Sequence, residues 1–399
     1  MIPPRYALAN GVIHTGSQTL DNGFVLVADG RVVGVGTGDL PTDWPVVELA
    51  GRHCAPGFVD LQVNGCGGVL FNADISADAI DRMRATWLRF GVTSLLPTLI
   101  SCPDADIRQA LDLIAAYRRT SPATAWAVPG LHLEGPYLSP LRPGIHPPAQ
   151  LRVPAPALLE DIVTAGPEVV RLITAAPEVL GTEWTARLDR RGVRVAAGHC
   201  ETTRAQMTAS ADAGLRLVTH LFNAMPPLRS REPGPIAAAW LDSRLMAGVI
   251  ADGAHVDWAN IRLSSLLMRE RLFLVTDAMP PAGSEQETFE LCGQTIHSAA
   301  GRLTDAGGTL AGSLLTMDQA VRNCVQHAGI SLDDALRMSS LNPARALGLD
   351  SELGLIAPGR LANLVVFDAG VRVQGVVTGG AFRAVADGWN PGPDVRARV

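Results

Sequence analysis

Eight short apolar runs punctuate the middle of this chain, near residues 58–64, 94–100, 128–135, 170–177, 194–199, 217–222, 245–252 and 272–279. Most of the intervening stretches carry helical spacing. In AIDRMRATWLRFG and DIRQALDLIAAYRR apolar residues recur every three or four positions, and Gly91 supplies a C-terminal stop. Strand and helix in alternation imply a parallel sheet, and eight such units suit a closed (β/α)8 barrel of the TIM type, which removes exposed edges. An open doubly wound sheet is the alternative, but no GxGxxG opens the first strand-to-helix turn.

Five of the runs deliver a polar residue at or just beyond their C-terminal end. VPGLHLEG reaches Glu134, RVAAGH reaches His199, LVTHLF contains His220, AGVIADGAH ends at His255 and LFLVTDAM contains Asp277. In a parallel barrel the C-terminal strand ends face one pocket, so residues far apart in sequence can share one ion. The expectation is a metal site on that rim.

Both ends of the chain differ in texture. Residues 1–56 and 354–399 read as short strands with tight turns, Asp29-Gly30 marking a hairpin. The expected organisation is a small β-sandwich built from the two ends, with a hydrolase barrel over 57–353 between them. The strand-like piece TFELCGQTIHSAAGRLTDAGGTL, after the last barrel run, reads as an insertion near the pocket mouth.

Composition removes several function classes. A formal charge of −6 and a pI near 5.9 leave no basic field for nucleic acid. No apolar stretch approaches membrane-spanning length, and MIPPRYALANGVIH lacks a basic segment followed by an apolar one, so a cytoplasmic address is expected. All 33 basic residues are arginines. Without lysine there is no Schiff base, no Walker-A phosphate loop and no carboxylated lysine bridging two metals. Cys54, Cys66, Cys102, Cys200, Cys292 and Cys324 lack CxxC spacing and read mostly as small buried hydrophobes.

The segments PGFVDLQVNGCGG, LHLEGP, GHCETT, THLFNAMPPL, REPG, IADGAHVD, LVTDAM, TLAGS and LNPARALGL together resemble the amidohydrolase superfamily, and within it the deacetylases of N-acetylglucosamine 6-phosphate. The resemblance implies Glu134, His199 and His220 as ligands of one divalent metal, Zn2+ in first place and Fe2+ as the alternative, with Asp277 as general acid and base. His132 could compete as a ligand, with a supporting role preferred. Gln62 and Asn64 stand where many members carry an HxH pair for a second metal, so they are vestigial second-metal positions. Arg231 and His255 are implied as phosphate readers, contributed in a homodimer within or across subunits, with Arg229 competing with Arg231. Ile145, His146, Asn223, Ala224, Leu310, Ala311 and Gly312 are implied to touch the substrate, His146 polarising its carbonyl. The implied reaction is hydrolysis of the acetamide of a phosphorylated amino sugar, gluco or else galacto in configuration. Other amide hydrolysis or nucleobase deamination on the same barrel, and a catalytically silent sugar-phosphate-binding protein, are the rival readings.

Overall fold

The structure, a computed structural model, describes residues 5–385. The outermost parts of the expected terminal domain, 1–4 and 386–399, lie outside the described residues. Contacts divide the chain into two compact units, Leu61–Met83 with Leu95–Thr316, and Met1–Asp60 with Arg84–Ser94 and Met317–Val399.

Each of the eight apolar runs coincides with a strand of one parallel sheet, the second strand beginning two residues ahead of its run. In chain order they are Phe58–Val63, Val92–Ile100, Leu131–Glu134, Val170–Ala175, Arg194–Ala197, Leu217–Val218, Met246–Val249 and Leu272–Leu274, each hydrogen-bonded to the next. Helices cover a parallel sheet on its outside while side chains fill the barrel inside, so both faces are dry and the strands read as continuous apolar runs. All nine residues of Val92–Ile100 are buried. The ring is brought to near closure beyond the last strand. Ala278 bridges Val63 in parallel, the Asp277 N–H donates to the Gln62 carbonyl (3.0 Å) and the Asn64 N–H to the Ala278 carbonyl (3.0 Å).

Several of these strands are shorter than their apolar runs. Leu217–Val218 stops before His220, whose φ is +28°, and His199 and Asp277 sit at +47° and +52°. These residues turn the backbone out of the sheet immediately past its edge. The insertion forms a three-stranded antiparallel sheet, Thr288–Leu291, Gln294–Ala299 and Arg302–Thr304. Its Phe289, Leu291, Ile296 and Leu303 pack with Ile100 and Met279.

In the other unit, strands from both chain ends share one sheet. His53–Pro56 lies between Leu364–Phe367 and Arg5–His14, which pairs onward with Thr19–Ala28 and then Arg31–Thr37. Tyr6 and Leu8, Val25 and Val27, and Leu364 and Val366 enter its core at every second position, as the strand period requires. Asp29 and Gly30 join two strands with φ of +49° and +77°, the paired positive values of a type I′ hairpin. Residues at the strand ends of this sheet form a polar cluster with the helix Leu332–Ser339. His14 Nδ1 lies 2.7 Å from Asp333 Oδ1, His14 Nε2 lies 2.8 Å from His53 Nδ1, and the Thr19 hydroxyl donates to Asp333 Oδ1 at 3.0 Å. Both imidazoles stack in line with Phe367.

Five of the six cysteines are buried, Cys292 being the exposed one. No helix among the described residues is long and apolar enough to cross a membrane.

Candidate active site

A cavity of about 380 Å³ opens at the C-terminal ends of the barrel strands, within the usual size range of small-molecule sites. Glu134, His199, His220, His255 and Asp277 all line it. Each is placed by a local device. Glu134 is the last residue of its strand. His199 sits between Ala197, where a strand ends, and a helix whose N-cap Thr203 and Gln206 form a reciprocal capping box. His255 is fixed by Asp252, which accepts the Ala254 and His255 N–H groups (2.8 Å each) and the His255 Nδ1–H (2.6 Å). That contact leaves His255 Nε2 for other partners.

Three donor atoms converge. Glu134 Oε1 lies 3.2 Å from His199 Nε2 and 3.1 Å from His220 Nε2, and the two imidazole nitrogens are 3.1 Å apart. Ligands at about 2.0–2.1 Å from a zinc-sized ion stand roughly this far from one another. Proton placement also fits a cation. His199 Nδ1 must carry hydrogen to donate to the Arg142 carbonyl (3.0 Å), so in the neutral ring Nε2 points a bare lone pair at a carboxylate oxygen. That contact needs a positive charge, either a second proton on the ring or a cation between the two atoms. Burial pushes the Glu134 carboxyl up, yet the His199 and His220 contacts outweigh it and hold it well below its ordinary value. Burial lowers His220, but its bond to Glu134 prevails and raises it.

A looser trio shares two of these residues, with one ligating atom each of Glu134, His146 and His199 within 4.8 Å of one another. His146 Nδ1 accepts the Ser101 N–H (3.3 Å) and contacts its hydroxyl (2.9 Å). Its remaining proton therefore sits on Nε2, and burial followed by the charge of His199 drops its pKa to about 3. His146 is a neutral hydrogen-bond donor here rather than a lone-pair ligand. His132 is fully buried and engaged at both nitrogens, with Thr174 (2.8 Å) and Thr98 (3.3 Å). It does not line the cavity.

Asp277 accepts at Oδ1 from Asn64 Nδ2 (2.7 Å) and Gln62 Nε2 (3.0 Å), and Gln62 also donates to Glu134 Oε1 (3.0 Å). Among the described residues Asp277 Oδ2 makes no hydrogen bond. Burial first, then the Glu134 charge, push this carboxyl up to about 7. The two amides thus clamp the carboxylates through N–H groups, which cannot ligate a metal.

Asn223, Ala224, Ile145, Leu310 and Gly312 line the cavity, whereas Ala311 is buried outside the lining. Gly312, at φ +65°, has no room for a side chain, since a Cβ would stand 2.7 Å from Met279 Cγ and 2.8 Å from the Asp277 carbonyl. Arg231 and Arg229 are exposed and line no part of the cavity. Sequence reasoning passed over Arg142. It lines the cavity, receives His199 on its carbonyl and pairs its guanidinium with Glu201. Its place on the loop between Glu134 and His146 was the available signal.

A parallel barrel whose rim brings a carboxylate and two imidazoles together beside a buried aspartate has the architecture of a metal-dependent hydrolase. The chain belongs to the amidohydrolase family, which it matches over residues 54–388. It is 36% identical over 383 residues to N-acetylglucosamine-6-phosphate deacetylase of Haemophilus influenzae, covering 95% of this chain and 99% of that one. It is 37% identical over 357 residues to N-acetylgalactosamine-6-phosphate deacetylase of Escherichia coli O157:H7, covering 89% and 93%. Among solved structures, an aspartate-to-alanine mutant of N-acetyl-D-glucosamine-6-phosphate deacetylase from Mycobacterium smegmatis, in complex with N-acetyl-D-glucosamine-6-phosphate, superposes with a TM-score of 0.88 at 38% identity, over 95% of this chain and 99% of that one.

Proposed function

We propose that this chain hydrolyses the acetamide of N-acetylglucosamine 6-phosphate to glucosamine 6-phosphate and acetate. The observation that carries the reading is the convergence of Glu134 Oε1, His199 Nε2 and His220 Nε2 beside a free Asp277 Oδ2, in a chain spanning nearly the whole length of a deacetylase of this substrate.

Glu134, His199 and His220 would hold one divalent ion, Zn2+ before Fe2+ on the chemistry of two imidazoles and a carboxylate. When bound, such an ion polarises a carbonyl and makes water a better nucleophile near neutral pH. Asp277 takes the proton of the attacking water on Oδ2, the atom its amide partners leave open. Burial raises this carboxyl above its ordinary value, the direction that suits a group that must first accept that proton and then give it to the departing nitrogen. His146 Nε2–H donates to the acetamide oxygen, where negative charge develops.

Phosphate recognition falls to His255 Nε2, with Asn223 and Ala224 against the sugar. Arg231 stands outside its own cavity, exposed and without a hydrogen-bond partner among the described residues. We assign it to the phosphate in the pocket of a second subunit of a homodimer, where its planar fork suits a dianion.

Acetate release from the metal-loaded protein tests the reading. Turnover of the gluco substrate well above its galacto epimer supports it. The reverse preference assigns the activity named for the Escherichia coli relative, and turnover of neither removes the assignment.

A further inference from the structure

Gln62 and Asn64 both donate to the site's carboxylates, but only Asn64 lines the cavity. Asn64 is 1% exposed, and its Oδ1 has no hydrogen-bond partner among the described residues. A buried acceptor left without a partner is costly, so one beside a reacting centre points to a ligand that fills it. The orientation of the amide is fixed. Reversing it would set a carbonyl oxygen 2.7 Å from Asp277 Oδ1, whereas the observed Nδ2 donates there. The main chain is held as well, by the Asn64 N–H on the Ala278 carbonyl (3.0 Å) and the Phe71 N–H on the Asn64 carbonyl (2.9 Å).

We propose that Asn64 is a catalytic residue whose Oδ1 accepts the N–H of the scissile amide and keeps that hydrogen as the nitrogen leaves. The inference rests on the deacetylase reading and deepens it. A secondary acetamide offers the enzyme two polar handles, an acceptor oxygen and a donor N–H. His146 Nε2–H matches the first, and in this cavity Asn64 Oδ1 matches the second. When water adds to the carbonyl carbon, the nitrogen becomes pyramidal and acquires a lone pair. With its hydrogen held by Asn64 Oδ1, that lone pair is turned away from Asn64. Asp277, 2.7 Å from Asn64 Nδ2, then delivers from Oδ2 the proton it took from water. The C–N bond breaks with its electron pair on nitrogen, and the products are acetate and the free amine.

The test compares two substrates that differ in one hydrogen-bonding group. The 2-O-acetyl ester of glucose 6-phosphate keeps the acyl carbon, the ring and the phosphate but has no N–H. Asn64→Ala removes the bond to Asp277 for both substrates and the N–H acceptor for the amide alone. The expected result is a kcat/KM penalty about 10- to 100-fold larger on the amide than on the ester, as follows from losing one buried hydrogen-bond partner. Asn64→Asp keeps an acceptor oxygen. It should slow both substrates through its effect on Asp277 while leaving the amide-to-ester ratio within about threefold of wild type, and it stands in should the alanine variant fold poorly. Equal penalties on both substrates in Asn64→Ala, or a ratio in Asn64→Asp that shifts as far as in alanine, overturn the proposal. So does the loss of bound metal in Asn64→Ala, which would make Asn64 a ligand. Wild-type protein inactive on both substrates would instead sink the deacetylase reading, which keeps the two failures apart.

Discussion

Among the described residues, one cluster of histidine and carboxylate lies on the barrel rim and another at the strand ends of the terminal sheet, and their difference lies in how protons are shared. In the sheet cluster the Thr19 O–H and the His14 Nδ1–H both donate to Asp333 Oδ1, and one further proton serves His14 Nε2 and His53 Nδ1, so each of these contacts can be given a proton. On the rim the same groups face inward in a triangle with edges of 3.1–3.2 Å, and His199 Nε2 has already surrendered the proton to Nδ1. The sheet cluster has a donor for each contact, whereas the rim triangle has three contacts and, with His199 protonated on Nδ1, only His220 Nε2 left to supply a proton, so a shared cation suits it better. Residue types alone would have scored the two alike.

The contrast breaks if the rim tolerates loss of a member. His199→Ala and His220→Ala should each lose most of the metal and nearly all activity, read by elemental analysis and acetate release. His14→Ala should leave both within about threefold. Metal retained at full content in either rim variant would undo the ligand assignment.

Asp277→Asn separates proton transfer from metal binding within the rim. It should keep the metal and lower kcat by roughly 10²–10⁴-fold, the usual contribution of a general acid and base. Near-normal turnover of the metal-loaded variant would remove Asp277 from the reaction.

Arg231→Ala should lower kcat/KM on the phosphorylated sugar by about 10- to 100-fold, consistent with losing a charge-assisted contact, and leave N-acetylglucosamine without phosphate nearly unchanged. Mixing Arg231→Ala with Asp277→Asn subunits sharpens the cross-subunit assignment. In a hybrid dimer one pocket has an intact Asp277 and receives Arg231 from its neighbour, so activity should recover above that of either variant alone. No recovery in verified hybrids would return Arg231 to its own subunit or remove it from the phosphate.

The smallest effect belongs to the sheet cluster. Burial, followed by the charge of His14, holds His53 below its ordinary value, while Asp368 and Asp21 act the other way. As pH falls below the ordinary histidine value of about 6.5, the unfolded chain binds the proton before the folded one does, and stability declines. His53→Gln should flatten that acid-side loss without touching kcat, as followed by thermal melts across pH 5–8. An unchanged slope would show that His53 does not titrate on unfolding.

Much of the fold was legible because a strand dry on both faces must be apolar throughout, and eight such runs left one economical arrangement. The five polar residues at the run ends also reached a common cavity, since strand direction sends every C-terminal end to the same rim. What escaped was backbone conformation in the two or three residues past each strand. Positive φ at His199, His220 and Asp277 sets where those side chains aim, and no periodicity encodes it. Arg142 escaped because its backbone carbonyl, which is common to all residue types, makes the contact with His199. The amides of Gln62 and Asn64 read as remnants of a lost metal pair, and only their geometry gives them work as donors to Glu134 and Asp277.

Ala278 is paired on one side with Val63 and on the other with Ser313. Its neighbour Asp277 gives its N–H to the Gln62 carbonyl and accepts the Ser313 N–H at 2.9 Å. The residue to which we assign proton transfer is therefore also a rivet in the seam where the barrel meets itself. A rivet cannot drift alone. Main-chain and side-chain hydrogen bonds tie Asp277 to Gln62, and Asn64 Nδ2 donates to the same carboxylate, so displacing any one of the three breaks bonds to the others. The bonds that bring the ring to near closure are thus the same bonds that fix where the Asp277 carboxylate stands in the cavity.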